Sequence, residues 1–399
     1  MKAEEIAKLD EQYFMSVFGK RLPISFEKGE DVYLFDTAGK RYTDFLSGIA
    51  VCCFGYSDDG YKQTLKHTID NLMHTSNLFY IEIQAKLAAL LCEATGYDNV
   101  FFSNSGAEAV EGALKLARKY HYAAKSPRTE FVTMKNSFHG RTLAALAATG
   151  QEKFHEAFRP LIQSFTYVEP NDTSALQQAV SERTAAVVIE PIIGEGGIIP
   201  ITPEYYAAVR TACDRCGALM IADEIQTGMG RTGAFLASPA LGVKPDVVVL
   251  AKSLGGGMPI GAFLAHGKAA NALAVGDHGS TFGGNHLACA AAYYITNKLL
   301  QTDTLLYVAQ TGAYFIRRLL DLKKQCTAVV DVRGKGLMLG IELKQSVSAK
   351  DLQKRLLSLG FVTATAGGNV LRFLPPYVIQ NRHVDSLIDA LKSILLTKF

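Results

Sequence analysis

Apolar residues in the middle of the chain form short unbroken runs, separated by longer segments with helical periodicity. Seven such runs lie between residues 60 and 290, namely NVFFSN, EFVTMKN, SFTYVEP, AAVVIEP, ALMIADE, DVVVLAK and GAFLA. Continuous apolar runs are typical of strands buried on both faces, and strands that alternate with helices indicate βαβ units. The pattern therefore predicts an α/β fold with a large domain whose mainly parallel central sheet is covered by helices.

The two ends of the chain follow a different pattern. The N-terminus predicts a short charged helix, and DVYLFDTAGKRYTDFLSG predicts a β-hairpin with DTAGK as its turn. Beyond residue 290, long helical segments enclose the strand-like runs GLMLGIEL and NVLRFLPP. We therefore predict an N-terminal segment over residues 1–59, a large domain over 60–290 and a smaller α+β domain over 291–399, which the N-terminal segment joins.

Composition narrows the possible partners. The 41 basic and 38 acidic residues give a net charge of +3 with the two signs interspersed, which provides no basic surface for nucleic acid. Seven scattered cysteines suggest a reducing compartment rather than a disulfide framework. Cys213 and Cys216 form a C-x-x-C without a second ligand pair, so we expect no metal. With no signal peptide and no apolar stretch of about eighteen residues, we expect a cytoplasmic protein without a membrane partner.

Three successive apolar runs each end in one ionisable residue: Glu190, Asp223 and Lys252. Their spacings of 33 (223 − 190) and 29 (252 − 223) residues match βαβ units of roughly 30 residues. In a parallel sheet these side chains emerge at one edge, where open α/β sheets bind their ligands. The alternative is that all three are ordinary polar residues at strand ends, with Lys252 lying over apolar surface.

A phosphate site is suggested by FFSNSGAEAVEGALKLARK, in which a strand is followed by Ser105, Gly106 and a strongly helical segment. Ser105 and Glu108 fit a capping box, and the free N–H groups of a helix start can receive phosphate. The glycine-rich HGSTFGGN could add hydroxyl groups to the same anion. Most capping boxes only cap helices, so neither segment identifies a ligand by itself.

A lysine amine, a carboxylate on a neighbouring strand and a phosphate-binding helix start together suit pyridoxal phosphate. The lysine forms a Schiff base with the aldehyde, and the acid keeps the pyridine nitrogen protonated. Desolvation of the lysine lowers the pKa of its amine and favours the nucleophilic form. GMGRTG also matches a dinucleotide fingerprint, but it lies late in the chain and no long helix follows it. A nicotinamide dehydrogenase and a non-catalytic binding protein therefore remain the weaker alternatives.

Taken together, the motifs resemble those of the class III aminotransferases of fold type I nearly from end to end. The resemblance is carried by LFDTAGKRYTDFLSGIAV, NSGAEAVEGALKLARK, NSFHGRT, IEPIIGEGG, ADEIQTGMGRTG, AKSLGGGMPIGA, GSTFGGN, VRGKGLMLGIEL and NVLRFLPP. It implies a pyridoxal-phosphate enzyme that acts by a ping-pong cycle, as a homodimer with shared active sites. The pattern is most similar to members that transfer the terminal amino group of N2-acetyl-L-ornithine to 2-oxoglutarate in arginine biosynthesis. Their products are N-acetyl-L-glutamate 5-semialdehyde and L-glutamate. Ornithine, succinylornithine and 4-aminobutyrate are the alternative donors.

The resemblance also implies roles for individual residues at the cofactor. Lys252 would carry the aldehyde and move a proton between the substrate carbon and the cofactor carbon. Asp223 would pair with the ring nitrogen, and Glu190 would support this contact from behind. The further cofactor contacts, to the phenolic oxygen, the ring face and the phosphate, would come from Gln226, Phe138, Ser105, Gly106, Ala107 and, from the other subunit, Thr281.

On the substrate side, the resemblance implies that Arg141 binds a substrate carboxylate and that Ser280 lies beside the substrate. Arg372 would bind the α-carboxylate of glutamate or 2-oxoglutarate, and Glu195 would pair with Arg372 otherwise. Without the motifs, both arginines would be interpreted as ordinary surface residues.

The chain departs from the family pattern at three places. CCFGYSDDG stands where an Asn and a G-H-x-H-P turn are usual, and this segment normally borders the active-site entrance. The choice of amino donor is therefore less well defined than the cofactor. NHLAC replaces N-P-L-A-C, and Ala107 replaces a common threonine. Loss of that hydroxyl should weaken phosphate binding only modestly, because the backbone donors remain.

Overall fold

The computed structural model of the protein describes residues 1, 3–162 and 164–396. Its α-helices are α1 (Ala3–Tyr13), α2 (Ser47–Ala50), α3 (Asp59–Asn71), α4 (Glu82–Thr95), α5 (Gly106–Ala123), α6 (Leu143–Ala148), α7 (Thr173–Ala179), α8 (Pro203–Cys216), α9 (His286–Gln301), α10 (Thr304–Gln325), α11 (Ala349–Ser358) and α12 (Asn381–Leu395). Its strands are β1 (Phe26–Glu30), β2 (Tyr33–Asp36), β3 (Arg41–Asp44), β4 (Asn99–Ser103), β5 (Glu130–Met134), β6 (Phe165–Val168), β7 (Thr184–Ile189), β8 (Ile192–Ile193), β9 (Ile199–Pro200), β10 (Leu219–Asp223), β11 (Val247–Leu250), β12 (Gly261–Ala265), β13 (Val329–Lys335), β14 (Met338–Leu343), β15 (Phe361–Val362), β16 (Ala364–Ala366) and β17 (Val370–Phe373).

The central sheet contains seven strands in the order β4-β12-β11-β10-β7-β5-β6. These are the seven apolar runs of the sequence, and the predicted α/β fold class is confirmed. All strands are parallel except β12, which is antiparallel to both of its neighbours, β4 and β11. The strands β7, β10, β11 and β12 are buried along their whole length, which explains why their sequences lack polar alternation.

Two smaller four-stranded sheets contain the ends of the chain. One has the order β1-β2-β3-β15, in which β2 and β3 form the predicted hairpin and β15 brings in the C-terminal part by pairing parallel to β3. The other, β13-β14-β17-β16, is antiparallel throughout and contains both strand-like runs predicted beyond residue 290. The boundary proposed at residue 290 falls within α9. The division into domains stays a prediction, and its last residues, 397–399, lie outside the described residues.

Two further properties follow from the described part of the chain. No helix in it is long and apolar enough to cross a membrane. The same residues contain no group of three or more His, Cys, Asp or Glu side chains that could hold a metal ion. Cys213 and Cys216, the C-x-x-C pair, lie at the end of α8 as free cysteines.

Candidate active site

A cavity of about 390 Å³ lies at the carboxyl ends of the parallel strands. Five of those strands, β4, β5, β7, β10 and β11, lead directly into segments that line it. This arrangement is the one expected for ligand sites of open α/β sheets. The lining residues are Val51, Asn104, Ser105, Gly106, Ala107, Phe138, His139, Gly140, Arg141, Glu190, Glu195, Asp223, Ile225, Gln226, Ala251, Lys252, Gly257, Met258, Pro259 and Ile260.

Lys252 follows β11 at the start of a 3₁₀ turn, Lys252–Leu254. Its φ of 50° lies in the left-handed region, which non-glycine residues seldom adopt except where the surroundings hold them. Part of the side chain faces the cavity, and the amine forms no hydrogen bond or ion pair with any described residue. Burial is the main reason that the pKa of this amine is lowered, and the charge of Arg372 lowers it further. The geometry therefore favours an amine that is available for chemistry.

Asp223, the last residue of β10, is buried and bound to His139. The Nδ1 atom of His139 lies 2.7 Å from Oδ2 of Asp223, and the backbone N–H of Ile225 donates to Oδ1. Burial lowers the pKa of His139, but the hydrogen bond and charge of Asp223 have a larger opposite effect. The pKa of His139 is therefore raised overall. His139 was not among the site residues predicted from the sequence. Its place in NSFHGRT is the only signal that could have indicated it.

Glu190, directly after β7, is also buried and supports the next layer of the site. Its carboxylate accepts hydrogen bonds from the backbone N–H groups of Phe138 and Gly194, at 2.9 and 3.0 Å. Burial raises the pKa of Glu190 to about 7, and the charge of Asp223 adds to this effect. Glu190 thus joins the loop after β5 to the segment after β7.

Arg372, Glu195 and Gln226 form a connected polar group. The Nη1 atom of Arg372 lies 2.5 Å from Oε1 of Glu195, and Nε2 of Gln226 donates to the same oxygen at 3.2 Å. Burial raises the pKa of Glu195, but the charge and hydrogen bond of Arg372 have a larger opposite effect. The pKa of Glu195 is therefore below its usual value. Only 2% of the Arg372 side chain is exposed. The pair predicted from the resemblance is therefore formed in this conformation.

The start of α5 provides backbone donors to the cavity. Ser105 is the N-cap, and its hydroxyl accepts from the N–H of Glu108 at 3.2 Å. The N–H groups of Gly106 and Ala107 have no acceptor among the described residues, as is usual for the first turn of a helix. The second half of the predicted capping box is wrong, because the Glu108 carboxylate accepts from the backbone and side chain of Asn104 instead of the N-cap N–H.

Arg141 lies at the mouth of the cavity and is exposed. Its guanidinium carbon is 3.9 Å from the ring centroid of Phe154 and 5.2 Å from that of Phe138. No described carboxylate forms an ion pair with it. Such an arginine, held by aromatic rings and without a counter-ion, is suited to binding an external carboxylate.

Ser280 and Thr281 do not line this cavity. The hydroxyl of Ser280 accepts from Nδ2 of Asn104 at 3.2 Å and from the N–H of Gly283 at 2.9 Å, so it adjoins the site. Thr281 is exposed. The other predicted site residues line the cavity together within one chain, with one exception. Arg372 does not line the cavity and is connected to it through Glu195.

GMGRTG does not form a dinucleotide-binding turn. The segment lies in turns after β10, and no helix begins there. Arg231 is completely buried and donates to the backbone carbonyls of Leu337 and Pro375, while its guanidinium lies 4.6 Å from the ring centroid of Tyr377. This arginine therefore has a structural role.

The cavity fits pyridoxal phosphate in three respects. The Lys252 amine has no hydrogen-bond or ion-pair partner in the described part of the chain and suits an aldehyde. Asp223, whose carboxylate is buried and oriented by His139, suits a protonated ring nitrogen. The free N–H groups at the start of α5 suit a phosphate, and Gly106 lets the backbone pass close to Ile225 there, since an added Cβ would lie 2.8 Å from Cδ1 of Ile225.

Comparisons with known proteins agree with this chemistry. The sequence model of the family described as aminotransferase class-III matches residues 14–395. An acetylornithine aminotransferase of Methanocaldococcus jannaschii is 44% identical over 398 residues, which cover 99% of this chain and 98% of the relative. One from Aquifex aeolicus is 42% identical over 96% of this chain and the whole relative. Among solved structures, the ornithine aminotransferase of Toxoplasma gondii has a TM-score of 0.94 at 30% identity, covering 99% and 95% of the two chains. The acetylornithine aminotransferase of Elizabethkingia anophelis has a TM-score of 0.87 at 29% identity and covers 99% of both chains.

Proposed function

Because this chain belongs to the class III aminotransferases, whose cofactor is pyridoxal phosphate, we propose that it transfers the terminal amino group of N2-acetyl-L-ornithine to 2-oxoglutarate. The products are N-acetyl-L-glutamate 5-semialdehyde and L-glutamate, formed in a ping-pong cycle. The proposed type of reaction rests on the Lys252 amine, which has no partner among the residues described and lines the same cavity as Asp223. The choice of donor is supported by the relatives named acetylornithine aminotransferase, which match nearly the whole chain at 39–44% identity.

Three side chains perform the central chemistry. The cofactor supplies an aldehyde that accepts the amino group and a ring that withdraws electrons from the reacting carbon. Lys252, with its lowered amine pKa, can take a proton from the substrate carbon and return it. Asp223 holds the proton of the ring nitrogen, and the hydrogen bond with His139 fixes the orientation of its carboxylate.

The phosphate would be held at the start of α5. Gly106 and Ala107 would donate their backbone N–H groups, and Ser105, the exposed N-cap, would add its hydroxyl. Ala107 offers no hydroxyl where a threonine is common in the family. Thr281, which is exposed in the single chain, would add its hydroxyl to the phosphate of a second subunit.

Two unlike substrates must bind in one site. N-acetylornithine has its carboxylate far from the reacting amine, and Arg141 at the cavity mouth, held against Phe154, would bind it. Glutamate has a carboxylate beside its amine, which Arg372 would bind after Glu195 moves away. A bidentate arginine–carboxylate contact fixes orientation as well as charge. The paired and unpaired states of Arg372 thus distinguish the two half-reactions.

We further propose that the protein is a cytoplasmic homodimer with shared sites. Leu78, Phe79 and Tyr80 are exposed by 87%, 68% and 107%, and such apolar patches usually mark an interface. The loop carrying Thr281 lies close by, since Nδ2 of Asn77 donates to the carbonyl oxygens of Ser280 and Gly283.

Mixed dimers test this sharing. Thr281→Ala chains and Lys252→Ala chains should regain activity when they are unfolded and refolded together. Each mixed dimer has one site with both native residues. Failure of the mixture to exceed the sum of the separate variants would contradict the shared site.

An absorption spectrum of the purified protein with pyridoxal phosphate tests the reaction class. A visible band should appear on cofactor binding and shift when N-acetylornithine is added, and Lys252→Ala should abolish both changes. Parallel assays with N-acetylornithine, ornithine, succinylornithine and 4-aminobutyrate then test the donor. The highest kcat/KM is expected for N-acetylornithine.

Ornithine is the second candidate donor. The likeness to the Toxoplasma gondii ornithine aminotransferase, at a TM-score of 0.94, favours it. The CCFGYSDDG segment directly follows Val51, which lines the cavity, so the donor is less well defined than the cofactor. A higher kcat/KM for ornithine than for N-acetylornithine would overturn the proposed donor but leave the aminotransferase chemistry intact.

A further inference from the structure

The first turn of α6 is capped by a side chain from another helix. Thr142 occupies the N-cap position of α6, but its hydroxyl makes no capping hydrogen bond. The hydroxyl donates instead to Oε1 of Glu111 on α5, at 2.6 Å. The same oxygen accepts from the backbone N–H groups of Ala144 and Ala145, at 3.0 and 3.2 Å. One carboxylate therefore ties three donors of α6 to the helix that begins at the phosphate site.

This contact lies next to Arg141. Thr142 is the following residue, so a shift of Thr142 would move the Cα of Arg141 with it. On the other side, Gly140 has a φ of 142°, and a Cβ there would lie 2.8 Å from that of Ala145 and 2.9 Å from that of Ala107. Gly140 allows close packing but, having no side chain, forms no tie of its own. The contact with Glu111 therefore fixes the backbone beside Arg141, while the rings of Phe138 and Phe154 hold its guanidinium.

We propose that Glu111 is a positioning residue that sets the affinity for the distal carboxylate of the amino donor, by holding Arg141 at the cavity mouth. The inference rests on the proposed role of Arg141. Glu111 does not line the cavity. Among the described residues, it forms no hydrogen bond or ion pair with Arg141. It acts only through the α6 turn.

The substitution Glu111→Ala removes all three hydrogen bonds. A misplacement of about 1 Å can cost up to about 100-fold, so we expect the KM for N-acetylornithine to rise by about 10- to 100-fold, with kcat changed less than about twofold. The variant Glu111→Gln keeps an oxygen acceptor at this position, so its KM for N-acetylornithine should rise by less than about threefold. Glu93→Ala on α4 is the matched control, because Glu93 is exposed and forms no hydrogen bond with a described residue.

Two analogues separate a positioning role from general damage. N-acetyl-1,4-diaminobutane is the same donor without its carboxylate, and its kcat/KM should be equal in Glu111→Ala and the wild type. N-acetyl-L-norvaline retains the carboxylate but lacks the reacting amine. Its dissociation constant, measured by calorimetry on the cofactor-loaded protein, should rise by the same factor as the KM for N-acetylornithine. Because Glu111 acts through Arg141, the Glu111→Ala/Arg141→Ala double variant should bind it as Arg141→Ala does.

The inference is overturned if Glu111→Ala binds N-acetyl-L-norvaline as tightly as the wild type, or loses activity equally on the carboxylate-free donor. If Glu111→Ala does not fold, Thr142→Val can replace it, because it removes one of the three hydrogen bonds. Its affinity for N-acetyl-L-norvaline should fall by a smaller factor, and its kcat/KM for the carboxylate-free donor should stay unchanged. Wild-type affinity in Thr142→Val would then overturn the inference. A wild type that prefers ornithine contradicts only the proposed donor. In that case ornithine and 1,4-diaminobutane become the test pair.

Discussion

Replacing Glu195 by glutamine tests whether its carboxylate controls access to Arg372. The two side chains are 2.5 Å apart, and 2% of Arg372 and 30% of Glu195 are exposed. Since the pKa of Glu195 is lowered overall, the pair is ionised at neutral pH. A substrate carboxylate must therefore displace Glu195 before it can bind Arg372. Glu195→Gln keeps the shape and one acceptor oxygen but removes the competing charge.

The size of the effect follows from the contact that is weakened. A hydrogen bond to a charged group contributes about 1.5–3 kcal/mol, roughly twice the value of a neutral one. The amide of Glu195→Gln should thus lower the competing interaction by about 1–1.5 kcal/mol, which corresponds to about tenfold in affinity. We expect the KM for 2-oxoglutarate to fall by about this factor. The KM for N-acetylornithine should rise by a similar factor, because the less compensated Arg372 repels the incoming ammonium group.

Single-turnover measurements separate the two half-reactions. The pyridoxal form is mixed with N-acetylornithine, the pyridoxamine form with 2-oxoglutarate, and the concentration dependence of each rate is recorded. Glu342→Gln is the control, because Glu342 forms another pair at 2.5 Å, with Arg333, and lines no part of the cavity. It should leave both half-reactions unchanged. If Glu195→Gln leaves both unchanged, or shifts both in the same direction, the exchange mechanism is wrong.

Three further substitutions test two other parts of the site and one buried structural residue. Burial raises the pKa of Glu190 from 4.5 to about 7, so its contribution to stability is complete below pH 4.5 and lost as the pH rises through 7. The free energy of unfolding of Glu190→Gln, measured with urea relative to the wild type, should therefore rise by about 3 kcal/mol between pH 4.5 and pH 8.5. A difference between the two proteins that does not change with pH would contradict this. A Cβ on Gly194 would lie 2.4 Å from Oε1 of Gln226, so Gly194→Ala should lower kcat/KM by about tenfold or more, whereas an unchanged value would show that Gln226 is not needed in place. Arg231→Met leaves two buried carbonyl groups without their donor and should lower the free energy of unfolding by about 3 kcal/mol or more. A change below about 1 kcal/mol in the same urea assay would refute the structural role of Arg231.

The strands of the central sheet could be predicted because burial on both faces leaves an unbroken apolar run. Their order could not be predicted, because pairing joins residues far apart in the sequence. β12 lies between β4 and β11 and runs against both, although GAFLA contains nothing that indicates a direction. A run of apolar residues therefore shows that a strand exists but not which neighbours it has.

The chemistry of the site was predictable to a similar extent. Glu190, Asp223 and Lys252 stand out because each interrupts an apolar run at a strand end. The contact between His139 and Asp223 could not be inferred, since it joins residues 84 positions apart and a single histidine has no periodicity. The capping box was half wrong for a local reason. Ser105 and Glu108 have the right spacing, but the backbone before the helix decides which N–H group the glutamate reaches.

Backbone strain is concentrated beside the reactive groups. The residues of α2, Ser47 to Ala50, have φ values of 47°, 65°, 67° and 61°. A left-handed residue other than glycine costs roughly 1–2 kcal/mol, so the three in this turn, Ser47, Ile49 and Ala50, require compensation. The hydroxyl of Ser47 donates to the carbonyl of Leu374, and the carbonyl of Ala50 accepts from the hydroxyl of Ser253. The strained turn is thereby tied to two segments from distant parts of the chain.

These two ties connect the turn to both ends of the active site. Leu374 lies two residues after Arg372, and Ser253 follows Lys252 directly. The CCFGYSDDG segment begins two residues after the turn, and the thiol of Cys53 lies 3.7 Å from the carbonyl oxygen of Ser253. A change in this segment can therefore alter the distance between the amine and the arginine without touching a substrate. Variation at these positions should affect which donor is used more than whether the cofactor binds.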